Sequence, residues 1–346
     1  MSTATGPYVR DTRHPSAGDN SGGRECLRTR AHHASRAAEP KGSAPVDLDR
    51  IDLAVVRELQ TDGRLTYETL AQRVGLSRPA TRARVQRLLD SSAVRVVAVI
   101  HPAVRGLTAS AHLSIDAHGE AERVAREIAA MPQAPFVTLT AGRRAIMTEL
   151  RTAGYGELDR AIEQVRSLPG VSMVDPLIAI RHLKDPYLPA EEPTVSADEL
   201  DATDRQILDE LERDGRLPFA ELAERVGLSA GATRSRTLRL LEGGVVKVLA
   251  LVRPEVLGLG YLCGFAVRVE GAREPVARTL AGFSRVSFLS ACIGRAELVG
   301  TITAESLTAV RATLDEMRAC TGVREVESWV HLELVKERYD LESPEA

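Results

Sequence analysis

The sequence predicts an α+β protein in which two winged-type helix-turn-helix domains alternate with two ferredoxin-like βαββαβ domains. Three observations carry this. The chain repeats itself once at a fixed spacing; each repeat opens with three short amphipathic helices broken by glycine; and each continues with β-branched runs and helical runs in the order strand, helix, strand, strand, helix, strand.

The repeat comes first because it organises the rest. LDRID at Leu48 returns as LDATD at Leu200, DGRL at Asp62 returns at Asp214, and VGLS at Val74 returns at Val226, each 152 residues on. The register persists through loops: Pro102 matches Pro254, Gly106 matches Gly258, Gly142 matches Gly294, Gly170 matches Gly322 and Tyr187 matches Tyr339. Spacing kept without insertion implies one fold used twice. The expected division is a disordered tail over 1–46, a helix-turn-helix domain over 47–100, a ferredoxin-like domain over 101–187, a linker over 188–198, the second pair over 199–252 and 253–340, and a short tail over 341–346. The first tail is rich in Ser, Gly, Ala, Arg and Pro and lacks the aliphatic periodicity that would offset ordering entropy. LPAEEPTVSAD, between the copies, reads as an extended linker of about a dozen residues, able to span roughly 40 Å.

Composition narrows the class of function. With 346 residues, 44% hydrophobic and 27% charged, the chain suits several globular domains. A net charge of −3 argues against coating nucleic acid by bulk positive charge, although it is silent about local basic patches, and 3% aromatic residues leave little for a single-strand stacking platform. Cys26, Cys263, Cys292 and Cys320 have no metal-site spacing and read as reduced thiols. No apolar run approaches the ~20 residues that span a bilayer, and the start lacks a signal-peptide core, so the expected location is the cytoplasm, with no membrane partner. No cofactor or metal is expected.

In the first copy, Ile51, Leu53, Ala54, Val56 and Leu59 follow Asp49, a candidate N-cap, and the run stops at Asp62-Gly63. Thr66 opens a second helix, Gly75 ends it, and Ser77 opens a third that reaches Leu89. On this third helix Thr81, Val85, Leu88 and Leu89 form the stripe that must pack inward. The free side is centred on Pro79, Ala83, Gln86 and Arg87, flanked by Arg82 and Arg84, a pattern suited to a helix lying in a DNA major groove. The second copy repeats the stripe as Thr233, Thr237, Leu240 and Leu241 and the arginines as Arg234, Arg236 and Arg239. The expected DNA contacts are therefore Ser77, Arg78, Arg82, Arg84, Gln86 and Arg87 in one reader and Ser229, Arg234, Ser235, Arg236 and Arg239 in the other, on double-stranded DNA.

DGRLTYETLAQRVGLSRPATRARVQRLLD and DGRLPFAELAERVGLSAGATRSRTLRLLE resemble the DNA-binding head of the Lrp/AsnC (feast/famine) transcriptional regulators, in a tandem, double-length form. The resemblance implies an amino-acid-sensing, ACT-like effector domain that pairs through its sheets and binds an amino acid or related metabolite at the subunit interface. It also implies an effector loop with a glycine followed by an acid: IGRAEL supplies Gly294, Arg295 and Glu297, whereas AGRRAI supplies Gly142 and Arg143 but has Ala145 at the acidic position. A tight turn needing glycine would explain both loops equally well. The bare sheet faces, with Val137 and Leu139 or Leu298, Gly300 and Ile302 alternating, should pack face to face within one chain, with homo-oligomers beyond that. The rival readings are a siroheme-decarboxylase-like enzyme of haem synthesis and a DNA-organising protein without effector. Against the enzyme, the corresponding strands read PFVTLTA and RVSFLSA, and His101, His112, His118, His182 and His331 show no ligand spacing.

Overall fold

The computed structural model describes residues 48–91, 94–188, 193–252, 257 and 259–337; both expected tails, and 189–192 of the expected linker, lie outside the described residues. The first copy runs α1 (Arg50–Thr61), α2 (Tyr67–Val74), α3 (Arg78–Asp90), β1 (Val94–Ile100), β2 (Ala109–Ala117), α4 (Ala121–Ala129), β3 (Phe136–Ala141), β4 (Ile146–Thr152), α5 (Tyr155–Arg166) and β5 (Val171–Lys184). The second runs α6 (Ala202–Arg213), α7 (Phe219–Val226), α8 (Ala230–Glu242), β6 (Val246–Val252), β7 (Tyr261–Val269), α9 (Arg273–Ala281), β8 (Val286–Ile293), β9 (Leu298–Ala304), α10 (Leu307–Arg318) and β10 (Val323–Glu337).

Local chemistry sets the helix ends. Asp49 and Asp52 form a capping box on α1, and Asp201 and Asp204 repeat it on α6. Ser77 and Ser229 cap α3 and α8 by accepting the amide N–H of Ala80 and Ala232. Gly75 and Gly227, at φ 70° and 69°, supply the left-handed residue that ends α2 and α7 and turns the chain into the next helix.

The strand after each head pairs with its counterpart in the other copy. β1 and β6 run antiparallel with Val97 opposite Leu249, two positions that are equivalent in the repeat, so a pseudo-twofold axis passes between them. The exchange reaches into the cores: Ala250 and Val252 of β6 pack with Val55, Leu59 and Val85 of the first head, while Ala98 and Ile100 of β1 pack with Ile207, Leu211 and Leu240 of the second. The DGRL motif, which reads from sequence as a helix stop, locks this arrangement. Gly63 donates its N–H to the Val248 carbonyl at 2.8 Å, and a Cβ there would fall 2.9 Å from the Leu249 nitrogen. Arg64 donates to the carbonyls of Gly215 and Leu217 and stacks over Phe219; Arg216 donates to the Leu65 carbonyl and stacks over Tyr67.

The other strands form one closed barrel in the order β10-β3-β4-β2-β5-β8-β9-β7. Each half keeps the expected ferredoxin-like order, with α4 and α5, or α9 and α10, outside on separate cores. The two sheets face each other as expected and also join along both edges, Ile178 opposite Ile293 and Ala141 opposite Val330, so their inner faces line a barrel. The residues expected on those faces are corrected, because Val137, Leu139, Leu298 and Ile302 pack in the cores on the helix side of each sheet. Closure pairs the backbone groups of edge strands that stacking would leave unpaired. Met147, Leu177 and Ala179 of one copy meet Ala266, Cys292, Val299 and Trp329 of the other inside.

Candidate nucleic-acid interface and effector site

α3 and α8 bury Thr81, Val85 and Leu88, and Thr233, Thr237 and Leu240, leaving one long face of each outside. Arg78, Arg82 and Gln86 are exposed on α3, and Arg234 and Ser235 on α8, with Ser77 and Ser229 exposed at the caps. Gln86 donates to Asp90 one turn on.

The remaining four arginines turn towards the first helix of their own head. Arg84 donates to Asp49 at 2.6 Å and Asp52 at 2.8 Å, and Arg87 donates to Asp52 at 2.6 Å. Arg236 meets Asp201 and Asp204 at 2.7 and 2.9 Å, and Arg239 meets Asp204. Asp52 and Asp204 are each only 1% exposed, so the two guanidiniums converging on each compensate a carboxylate that would otherwise be buried unpaired. The backbone N–H of Asp52 and the Arg84 guanidinium hold the Asp49 carboxyl below its usual range; the N–H of Asp204 and Arg236 do the same for Asp201. Arg84, Arg87, Arg236 and Arg239 thus fix the angle of the reading helix, while Arg78, Arg82 and Arg234 have no ion pair among the described residues. The signal was present in the sequence as an acid at the third helical position of α1 and α6, 32 and 35 residues before two arginines.

The effector-loop residues lie at the end of the barrel where β3 turns into β4 and β8 into β9. Both glycines are set there by close approach between copies. A Cβ at Gly142 would come 2.8 Å from Trp329 Cβ, and one at Gly294, whose φ is +150°, would come 2.8 Å from Leu177. Arg143 is exposed. Arg295 bridges the copies, bonding Asp175 at 2.6 Å, Glu327, and the Ser114 hydroxyl at 3.2 Å. Glu297 accepts the Val269 N–H at 2.8 Å and so fastens the end of β7. The acid of the expected effector loop is already engaged with backbone.

Closure also gathers histidines that are dispersed in the sequence. His112 and His182 both pack on Phe288, with ring centres 5.5 and 5.7 Å away, and His331 packs on Phe136 at 5.9 Å. Beside them Glu149 and Arg151 form an ion pair at 2.7 Å, with exposures of 9% and 13% for the two side chains. Burial pushes the Glu149 carboxyl up, but Arg151 and His112 outweigh it and bring the group to about 2. Burial pushes His112 and His331 down to about 4, so both rings are neutral at pH 7. No group of three or more His, Cys, Asp or Glu among the described residues could hold a metal. Cys263, Cys292 and Cys320 are free thiols; Cys26 lies outside the described residues.

Two helix-turn-helix heads on a pseudo-twofold axis, carried by a barrel of two ferredoxin-like halves, define a DNA-binding protein with ligand-binding domains. Residues 48–89 and 200–241 match the AsnC-type helix-turn-helix domain, and residues 108–189 match the Lrp/AsnC ligand binding domain. An uncharacterized HTH-type transcriptional regulator of Pyrococcus horikoshii is 30% identical over 136 residues, covering 38% of this chain and 86% of the relative. The leucine-responsive regulatory protein of Rhizobium meliloti is 29% identical over 146 residues, covering 40% of this chain and 94% of the relative. The chain belongs to the Lrp/AsnC family. Among solved structures, the siroheme decarboxylase NirDL superposes with a TM-score of 0.58 at 16% identity over 84% of this chain and 93% of its own, a likeness of fold. Among the described residues no helix is long and apolar enough to cross a membrane.

Proposed function

We propose that this transcriptional regulator binds DNA as a covalent pseudo-dimer, one chain reading two unequal half-sites, and that a small metabolite bound by its barrel alters the binding. The observation that carries the reading is the fixed pairing of α3 and α8: β1 and β6 cross at equivalent residues and the Arg64 and Arg216 locks hold both heads to one frame. A chain so built presents two reading helices without needing a second copy, and higher assembly adds further pairs.

Arg78, Arg82 and Gln86 read one half-site, and Arg234 with Ser235 reads the other. Arg84, Arg87, Arg236 and Arg239 act mainly by orienting those helices, with their solvent-facing nitrogens available to phosphate. The family resemblance suggests an amino acid or related metabolite as effector, sensed near Gly142, Arg143, Gly294, Arg295 and Glu297. Arg295, tied to both copies, is the loop group best placed to transmit a change between them.

The test is a titration of the full chain against duplex DNA at several salt concentrations. The expected result is one chain per paired site and an affinity that falls steeply with salt as phosphate counterions are released. Arg82→Ala and Arg234→Ala should each weaken binding by about 1–3 kcal/mol and relax sequence preference in one half-site only. Equal loss of preference in both half-sites from either substitution would contradict the reading.

A further inference from the structure

We propose that the barrel end nearest the heads holds one flat, non-anionic heteroaromatic molecule in a single asymmetric site made by both copies. This rests on the ligand-responsive reading above for its regulatory meaning and adds a site at the opposite end of the barrel from the effector loops; binding itself is measured without DNA.

A cavity of about 460 Å³ opens there, within the range of small-molecule sites. Its walls are unusually aromatic for this chain. Phe136, Phe288 and Trp329 line it, three of only six Phe and Trp residues in the sequence, together with His112 and His331. Flat rings on facing walls suit a flat, conjugated guest.

Three nitrogen atoms of these wall residues have no hydrogen-bond partner among the described residues: His112 Nε2, Trp329 Nε1 and His331 Nε2. The first two belong to side chains more than nine-tenths buried, where an unmet polar group is costly. A guest with heteroatoms at its edge would satisfy them as these rings turn towards the cavity. The charges around the cavity are already matched: Glu149 is held by Arg151, Asp185 accepts the N–H groups of Tyr187 and Leu188, and Arg285 pairs with Glu305, while Glu333 and Glu337 stand at the exposed rim. The cations of the lining, Arg151 and Arg285, are both paired, so an anionic guest would have no counter-ion here and would be repelled by the rim acids.

Divergence between the copies points to the same place. Phe136 and Phe288 are equivalent, but His112 faces Gly264 in the repeat, Glu149 faces Thr301, Arg151 faces Thr303, Trp329 faces Leu177 and His331 faces Ala179. Gly264 exists to admit the indole, since a Cβ there would lie 2.0 Å from Trp329 Nε1. Closing a barrel needs none of this asymmetry. One wall has become polar and the other indole-bearing, as one asymmetric guest requires and two symmetric guests would not. Val99 of β1 and Val252 of β6 also line the cavity, so a guest touches the strand pair that joins the heads.

Trp329 is the only tryptophan in the sequence, which makes it a reporter. The full chain is titrated with N-phenyl-1-naphthylamine while Trp329 is excited, and the bound probe is then challenged with quinoline, octanoate and L-leucine. The expected result is saturable binding of one probe per chain with energy transfer from Trp329, displacement by quinoline, and none by octanoate or L-leucine. Phe288→Leu and His112→Leu should each weaken binding about tenfold or more with the thermal transition retained, and His112→Gln should recover part of the loss. Unsaturable binding, displacement by octanoate as readily as by quinoline, or insensitivity to both Phe288→Leu and His112→Leu would overturn the proposal. A chain that binds the probe but not DNA would retain the site and refute the regulator.

Discussion

The two heads of this chain share a closely matched aspartate–arginine frame, whereas the two barrel halves match in backbone and differ inside. Arg84 and Arg236 reach their paired aspartates at distances within 0.1 Å of each other, and Arg64 and Arg216 each reach across to a carbonyl and an aromatic ring of the other head. In the barrel, by contrast, the position of His112 is glycine in the second copy and that of Trp329 is leucine in the first. A twofold target such as duplex DNA rewards two equivalent frames, and a barrel enclosing a single space does not. The frame is kept; the readers on it, Arg78 and Gln86 against Ala230 and Leu238, are varied.

The comparison breaks most visibly at Gly264. Gly264→Ala drives a methyl group into the indole and should cost about 3 kcal/mol in a denaturant titration, largely relieved in a Trp329→Ala background. His112→Gly, the reciprocal change, should cost less, because it removes a side chain rather than overfilling a core. The heads should behave in the opposite way: Asp52→Asn and Asp204→Asn each leave two arginines short of a buried partner and should each cost about 2–3 kcal/mol, equal within about 0.5 kcal/mol. A large inequality would show that the heads are not equivalent.

Acid sharpens the contrast further. The folded values of His112 and His331 lie near 4, below the 6.5 of the free side chain, so between these limits the unfolded chain binds more protons and stability rises with pH. Lowering the pH from 6.5 to 4 should therefore remove on the order of 5 kcal/mol for the two rings together. Glu149, folded near 2 against 4.5, adds a further loss only below 4.5. Thermal melting against pH should lose most of the upper-window slope in the double variant His112→Gln, His331→Gln. The smallest stability effect belongs to the exposed readers: Arg82→Ala and Arg234→Ala should change melting by less than about 0.5 kcal/mol while weakening DNA binding.

Local elements were legible because their causes are local. Asp49, Thr66 and Ser77 at helix starts, Gly75 at a turn and the 152-residue register place the helices and strands within two residues of the observed elements in the first copy. Contacts between copies were not. Periodicity says which face of α3 is apolar, but not that α1 lies along one flank and draws in Arg84 and Arg87. It gives β5 and β10 as strands without saying that their 14- and 15-residue lengths serve two neighbours each and close a barrel. It marks DGRL as a turn, while the arginine works 151 residues away. The histidines look scattered for the same reason: His182 reaches Phe288 only across the β5 and β8 seam.

The central claim is that one chain reads two unequal half-sites through one rigid frame. It is tested most directly by selecting binding sites from random duplex DNA with the natural chain and with a variant whose second reader copies the first, Ala230→Arg, Gly231→Pro and Leu238→Gln. The natural chain should select paired half-sites of different sequence, about one helical turn, ~34 Å, apart, and the variant should select paired half-sites that have become more alike at the same spacing. Identical sites recovered from both proteins, or symmetric sites from the natural chain, would contradict the account.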